Sequence, residues 1–194
     1  MNFHGIEEAF VLAGGKSSRM GTNKALLFVD NVTMIERIVG VLPARFQKVS
    51  IVAKDAEPYE FLSVPICRDL HPFYSPLVGI YSGLKTIGRG GAFFTACDFP
   101  FLTADLVSKL LDVSGCYDAI CFESDAVMEP FPSIFFKSAL PLLKQLIMSN
   151  QLGVRSCLKA LNVHKIPIQR DFASINTPKD YEIWKELHDS AKRA

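Results

Sequence analysis

Apolar runs too short to form helices recur along this chain, and each is followed by a longer stretch of helical period. Ala9 to Leu12 (AFVL), Val49 to Val52 (VSIV), Ala92 to Ala96 (AFFTA) and Ala119 to Phe122 (AICF) lack the strict polar alternation of a half-exposed strand. Such runs suit strands buried on both faces, as in a parallel sheet covered by helices. A weaker run spans Val64 to Cys67. Helices are expected at Thr33 to Leu42, Leu77 to Ile87, Thr103 to Leu111, Ala139 to Ser149 and Thr177 to about Ala191. In the last, Thr177 can cap, Pro178 suits the first turn and Asp180 can return a bond to the cap.

Strand and crossover helix in alternation make an α/β fold. Ser133 to Phe136 and His164 to Pro167 can add further strands after the first half, antiparallel in sense. The expectation is a Rossmann-like three-layer sandwich with a mostly parallel mixed sheet. No repeat or Pro/Gly/Ser linker interrupts residues 1–194, so one domain is expected. In such a sheet ligands sit outside the carboxyl ends of the strands, so chemistry is sought in the residues that follow each strand.

Composition narrows the function. The 194 residues carry 21 Lys and Arg against 20 Asp and Glu, a net charge of +1, which gives no global basic field for nucleic acid. Five cysteines include no Cys-x-x-Cys pair, and the four histidines include no His-Glu-x-x-His helix, so no structural metal is expected. No stretch approaches the roughly 18 apolar residues of a membrane span, and the early Glu7-Glu8 pair does not suit a secretory signal. A cytoplasmic protein with free thiols, binding neither nucleic acid nor membrane, is the expectation.

Directly after the first strand comes Ala13-Gly14-Gly15-Lys16-Ser17-Ser18-Arg19-Met20-Gly21-Thr22-Asn23-Lys24. Gly14 and Gly15 let backbone N–H groups face an anion, Ser17 and Ser18 can donate hydrogen bonds, and Lys16, Arg19 and Lys24 supply positive charge. This is an anion-binding loop by composition. It is not a Walker A motif, because five residues separate Gly15 from Gly21 and Gly21 is followed by Thr22. It also lacks the Gly-x-Gly-x-x-Gly dinucleotide fingerprint, which disfavours an NAD-dependent oxidoreductase.

The string LAGGKSSRMGTNKALL, from Leu12 to Leu27, resembles the signature loop of the molybdenum cofactor guanylyltransferases, with Asn23 where that family has Asp. Arg68-Asp69, Ser75-Pro76-Leu77-Val78-Gly79, Cys97-Asp98-Phe99-Pro100-Phe101-Leu102 and Ile175-Asn176-Thr177-Pro178-Lys179-Asp180 agree in order and spacing. The resemblance covers nearly the whole chain. It implies a nucleotidyltransferase-type fold that joins GMP from GTP to the phosphate of the molybdopterin cofactor and releases pyrophosphate, with Mg2+ as cofactor. Molybdenum cofactor maturation proteins or molybdoenzymes are implied as partners.

On the same ground, Leu12, Ala13, Gly14 and Gly15 would meet the nucleotide through their backbone, and Lys24 its phosphates. Asp69 would contact the nucleotide, and Asp98 both nucleotide and metal. Pro76, Leu77, Gly79 and Asn176 would lie on the acceptor side. After the second strand the family often places an Asn beside the guanine, whereas this chain reads Val52-Ala53-Lys54-Asp55. A cytidylyltransferase acting on molybdopterin or a methylerythritol-type phosphate is therefore a second reading. A non-catalytic nucleotide-binding homologue is a third.

Joining a phosphate monoester to an α-phosphate brings two anions together, so the task is to neutralise and align charge. Lys24, Arg19 and one magnesium fit it, and Asp98, in a strand-to-helix turn, suits a metal that needs only one or two protein carboxylates. His71 has little to do as a base, because the attacking phosphate is already largely ionised. Cys97 is expected as a small buried residue rather than a reactive thiol. Lys54 and Asp55 suit either a base contact or a solvated turn. Arg155 can present its charge to the acceptor phosphate, and Glu129 to Ser133 lies where the resemblance implies a proline-containing strand entry near the acceptor site.

Overall fold

The computed structural model describes residues 5–13, 23–29, 31–99, 101–168, 177 and 179–182. In chain order the strands are β1 (Glu8–Leu12), β2 (Phe28–Val29), β3 (Val32–Thr33), β4 (Lys48–Ala53), β5 (Ile66–Arg68), β6 (Gly91–Ala96), β7 (Ala119–Ser124), β8 (Val127–Phe136) and β9 (Val163–Pro167). The helices are α1 (Met34–Val41), α2 (Pro76–Thr86), α3 (Ala104–Leu111), α4 (Leu140–Met148) and α5 (Val154–Ala160).

Seven strands form one sheet in the order β5-β4-β1-β6-β8-β7-β9, and β2 and β3 make a separate hairpin. The pairs β5–β4, β4–β1, β1–β6 and β7–β9 are parallel, while β8 runs antiparallel to both β6 and β7. The architecture is thus the expected α/β sandwich with a mostly parallel mixed sheet. Along β1, Ala9 and Val11 join the core under α1 and α3, whereas Phe10 and Leu12 join the core under α2, α4 and α5. Both faces are covered, which is why these strands read as unbroken apolar runs.

Local chemistry places the helix starts. The Thr33 hydroxyl accepts from the Glu36 amide at 3.3 Å while the Glu36 carboxylate accepts from the Thr33 amide at 2.7 Å. Ser75 caps α2 through the Leu77 amide at 3.1 Å, with Pro76 in the first turn. Thr103 caps α3 through the Leu106 amide at 3.4 Å. The reciprocal pair foreseen at Thr177 is also present, since the Thr177 amide donates to Asp180 at 2.7 Å and the Asp180 amide to the Thr177 hydroxyl at 3.2 Å. Beyond 182 the last expected helix lies outside the described residues.

The second half departs from the sequence reading. β9 is parallel to β7, with Ala119 opposite Val163, and not antiparallel. β8 begins at Val127 rather than Ser133, and its pairing with β7 jumps from Cys121↔Ser133 to Phe122↔Glu129. Pro130 and Pro132 lack the amide hydrogens a ladder needs, so residues 130–132 bulge out of it. Helix α5 and the 3-10 helix Glu57–Leu62 were not expected, and neither has a side-chain cap to announce it.

Helix α2 lies close on the sheet. A Cβ added to Gly83 would stand 2.8 Å from Phe94 Cε1 and 3.2 Å from Phe10, whose rings stack at 5.3 Å. Among the described residues, no helix is long and apolar enough to cross a membrane.

Candidate active site

Four neighbouring parallel strands end level with one another. Leu12 pairs with Val52 on one side and Ala96 on the other, and Ala53 pairs with Arg68. The residues that follow, Ala13, Lys54, Asp69 and Cys97-Asp98, therefore line one edge of the sheet. Asp69 and Asp98 stand three strand spacings apart, about 14 Å at the backbone. A nucleoside triphosphate can extend over such a span.

Lys24 opens a 3-10 turn, Lys24–Leu26, in which the Asn23 side chain accepts from the Ala25 amide. Its Nζ lies 4.0 Å from Asp98 Oδ2, with the lysine side chain 14% and the aspartate side chain 26% exposed. Burial pushes the Asp98 carboxyl above its ordinary value, and Lys24 only partly opposes that. The Asp98 charge is thus held where a cation lowers its cost. Among the described residues no cluster of three His, Cys, Asp or Glu side chains can hold a metal. A hard divalent ion at Asp98 would complete its shell from phosphate oxygens and water, as magnesium commonly does. The residues present fit that ion.

Asp69 is held differently. Its amide donates to the Ala53 carbonyl at 3.4 Å, while its buried Oδ1 has no hydrogen-bond partner. Burial pushes its carboxyl up to about 6 against the pull of Lys54. A buried acceptor left unsatisfied is a place where a ligand's hydroxyl can be received. Lys54 itself donates to the Pro72 carbonyl and sits 3.5 Å above the Tyr74 ring, so it ties down the turn that follows Asp69. His71 packs against Tyr81 with ring centres 5.7 Å apart. Burial pushes the Cys97 thiol up to about 12, which makes it a weak nucleophile.

Beside Asp98 lies a cavity of about 570 Å³, walled by Pro76, Phe99, Pro130, Phe131 and Arg155 among others. The 130–132 bulge brings Pro130 and Phe131 to it. Arg155, from the first turn of α5, donates to Glu129 Oε2 at 3.1 Å and to the Met128 carbonyl at 3.2 Å. The cavity wall therefore carries the Arg155–Glu129 pair together with the apolar Pro76, Phe99, Pro130 and Phe131.

The sequence-predicted residues divide between these places. Lys24 and Asp98 come together, and Ala13 and Asp69 stand on the same edge. Pro76 lines the cavity, whereas Leu77 is fully buried in the core and Gly79 faces Leu12, where an added Cβ would be 2.9 Å from Leu12 Cδ2. Leu12 is also buried, leaving its backbone at the edge. Gly14, Gly15, Arg19 and Asn176 lie outside the described residues. Sequence reasoning missed Tyr59, whose hydroxyl donates to the Ala13 carbonyl at 3.0 Å and accepts from Asn23 Nδ2 at 3.0 Å. Its only local signal is an aromatic residue after Pro58, which nothing ties to a loop ending 36 residues earlier.

Comparison with known proteins gives the family and the fold. The family described as MobA-like NTP transferase domain matches residues 9–166. The chain is 35% identical over 181 residues to the probable molybdenum cofactor guanylyltransferase of Carboxydothermus hydrogenoformans, covering 89% of this chain and 91% of the relative. It is 28% identical to the molybdenum cofactor guanylyltransferase of Desulfosudis oleivorans, covering 89% and 91%. Molybdopterin-guanine dinucleotide biosynthesis protein A from Archaeoglobus fulgidus superimposes with a TM-score of 0.80 at 25% identity, over 94% of this chain and 99% of that one.

Proposed function

The chain belongs to the MobA-like NTP transferase family, and from that premise we propose that it is a molybdenum cofactor guanylyltransferase. It transfers GMP from GTP to the phosphate of the molybdenum-molybdopterin cofactor and releases pyrophosphate. An oxygen of the acceptor phosphate attacks the α-phosphorus, and the bond from that phosphorus to the β-bridging oxygen breaks. The electron pair of the broken bond leaves on pyrophosphate.

The observation that carries this reading is the Lys24–Asp98 pair at 4.0 Å, opening onto the 570 Å³ cavity. Lys24 supplies positive charge to the triphosphate, and Asp98 would hold Mg2+. When bound, that ion supplies Lewis-acid stabilisation of the charge gathering on the phosphates. Asp69, with its unsatisfied Oδ1, receives a hydroxyl of the nucleotide, and the backbone at Leu12 and Ala13 borders the nucleotide. Arg19, through the signature loop, adds a second cation. The acceptor occupies the cavity, with Pro76 and Phe131 against its flat ring system and Arg155 toward its phosphate. Holding two anions against fixed charges is where the rate enhancement arises. Delivery to maturation proteins or molybdoenzymes in the cytoplasm completes the reading, and the five unbridged cysteines suit that compartment.

A thermal-shift panel of GTP, CTP, UTP and ATP with Mg2+, on wild type and Asp98→Ala, tests it. Ligand at a hundredfold excess over its dissociation constant stabilises by about 2.7 kcal/mol. A GTP-selective shift that needs Asp98, followed by pyrophosphate release with molybdopterin, is expected. A CTP-selective shift would assign the chain to cytidylyl transfer, and binding without turnover would make it a non-catalytic homologue.

A further inference from the structure

We infer that Tyr59 is a positioning residue for nucleotide binding: its hydroxyl ties Ala13, where the chain enters the signature loop, to Asn23, where it leaves, and so sets Lys24 against Asp98. The inference rests on the nucleotidyltransferase reading above and adds to it a residue outside every motif.

Tyr59 is 3% exposed and comes from the 3-10 helix Glu57–Leu62, between β4 and β5. Its hydroxyl donates to the Ala13 carbonyl at 3.0 Å, 46 residues away in sequence. Ala13 is also held through its amide, which donates to the Val52 carbonyl at 2.9 Å. With its N–H and its C=O both engaged, the backbone of Ala13 is held from either side at the end of β1.

On the other side of the phenol, Asn23 Nδ2 donates to Tyr59 at 3.0 Å, and Asn23 Oδ1 accepts the Ala25 amide at 3.2 Å. Asn23 thereby links the phenol to the turn that carries Lys24, which is closed by Leu26 N–H to Asn23 O at 3.0 Å and Leu27 N–H to Lys24 O at 3.1 Å.

A phenol has one hydrogen to give. Here the Ala13 carbonyl takes it, so the partner at position 23 must be a donor. An asparagine offers a donor and an acceptor together, and both are used. A carboxylate at that position would offer acceptors alone and compete with Ala13 for the single hydrogen. This accounts for Asn23 where the resemblance leads to Asp. Burial pushes the Tyr59 phenol above its ordinary value, so it remains a neutral donor at physiological pH. Because a displacement of about 1 Å in a charged group can cost a hundredfold in rate, a brace beneath Lys24 acts on function and not only on stability.

The test uses the full chain as wild type, Tyr59→Phe, Asn23→Asp and the double variant. GTP affinity with Mg2+ is measured by calorimetry well below every melting temperature, with near-ultraviolet circular dichroism to verify folding. Asn23→Asp keeps the oxygen that caps Ala25, removes the amide donor and adds a negative charge, so the uncharged Tyr59→Phe is the deciding single variant. Each single variant is expected to weaken GTP about tenfold while remaining folded, with KM for GTP rising more than kcat falls. The double variant should lose no more than the worse single one, because both break the same brace. Wild-type affinity in folded Tyr59→Phe, or additive losses in the double variant, would overturn the brace. A wild type that binds no nucleotide would overturn the functional reading and the brace with it.

Discussion

Lys24 and Asp98 face each other across 4.0 Å, the first from a short turn after the signature loop, the second from the end of β6. Neither position is close to the other in sequence, and β1 lying beside β6 brings them together. The pair concentrates opposite charge at the edge where two anionic substrates must meet. Asp98→Asn should lower transfer by about 10²–10³-fold, the range typical for removing one stabilising group at a developing charge. Its melting temperature should hold or rise, since a partly desolvated charge is removed. Turnover and thermal melts on the same preparation check both halves.

Asp69 should make stability fall as pH rises. The folded state holds its proton up to about 6, against 3.8 for the ordinary carboxyl, so folding favours the protonated form. The stability this contributes is complete below about pH 4 and is lost as the pH rises through 6. Asp69→Asn, which does not titrate, should exceed wild type by about 1 kcal/mol at pH 7 once solvent screening is allowed for. The gap should close toward pH 4 in a series of denaturation midpoints. Nucleotide binding should weaken in the same variant.

Gly83 and Gly79 should both resist enlargement, for different consequences. Gly83→Ala forces a Cβ to within 2.8 Å of Phe94 and should cost about 1–3 kcal/mol, the usual range for overpacking. It should leave nucleotide affinity unchanged at temperatures where the protein is folded. Gly79→Ala meets Leu12 Cδ2 at 2.9 Å and lies 3.8 Å from Asp69 Oδ1, so it should lose stability and nucleotide affinity together. Chemical denaturation and calorimetry separate the two.

Thiol labelling should be selective. Cys116 is exposed, while burial pushes Cys97 and Cys121 up to about 12 and Cys157 up to about 11. A thiolate-directed reagent near neutral pH should therefore modify Cys116 first and leave Cys121 and Cys157 intact until unfolding. Peptide mapping reads this out, and rapid labelling of Cys121 or Cys157 in folded protein would contradict their burial.

Much of the fold was legible because its signals are local. The runs AFVL and AFFTA are apolar on both faces and became β1 and β6 at the sheet centre, and the helices expected from Thr33, Leu77 and Thr103 are present, capped by Thr33, Ser75 and Thr103. The direction of β9 was not legible, because five residues carry no record of which neighbour they join. Helix α5 begins at Val154 after Gly153, which has no side chain to cap it, so its start left no local mark.

For the site, the chemistry of Lys24, Asp69 and Asp98 was written in the sequence as residue types placed after strands. Their arrangement was decided by tertiary structure. Only the parallel register of β5, β4, β1 and β6 makes those residues neighbours on one edge, and only the bulge at 130–132 opens a cavity beside Asp98. Tyr59 marks the limit most clearly, since its partners lie 36 and 46 residues away. A side chain's hydrogen-bonding capacity is fixed by its type, but which atoms it meets is set by packing across the whole chain.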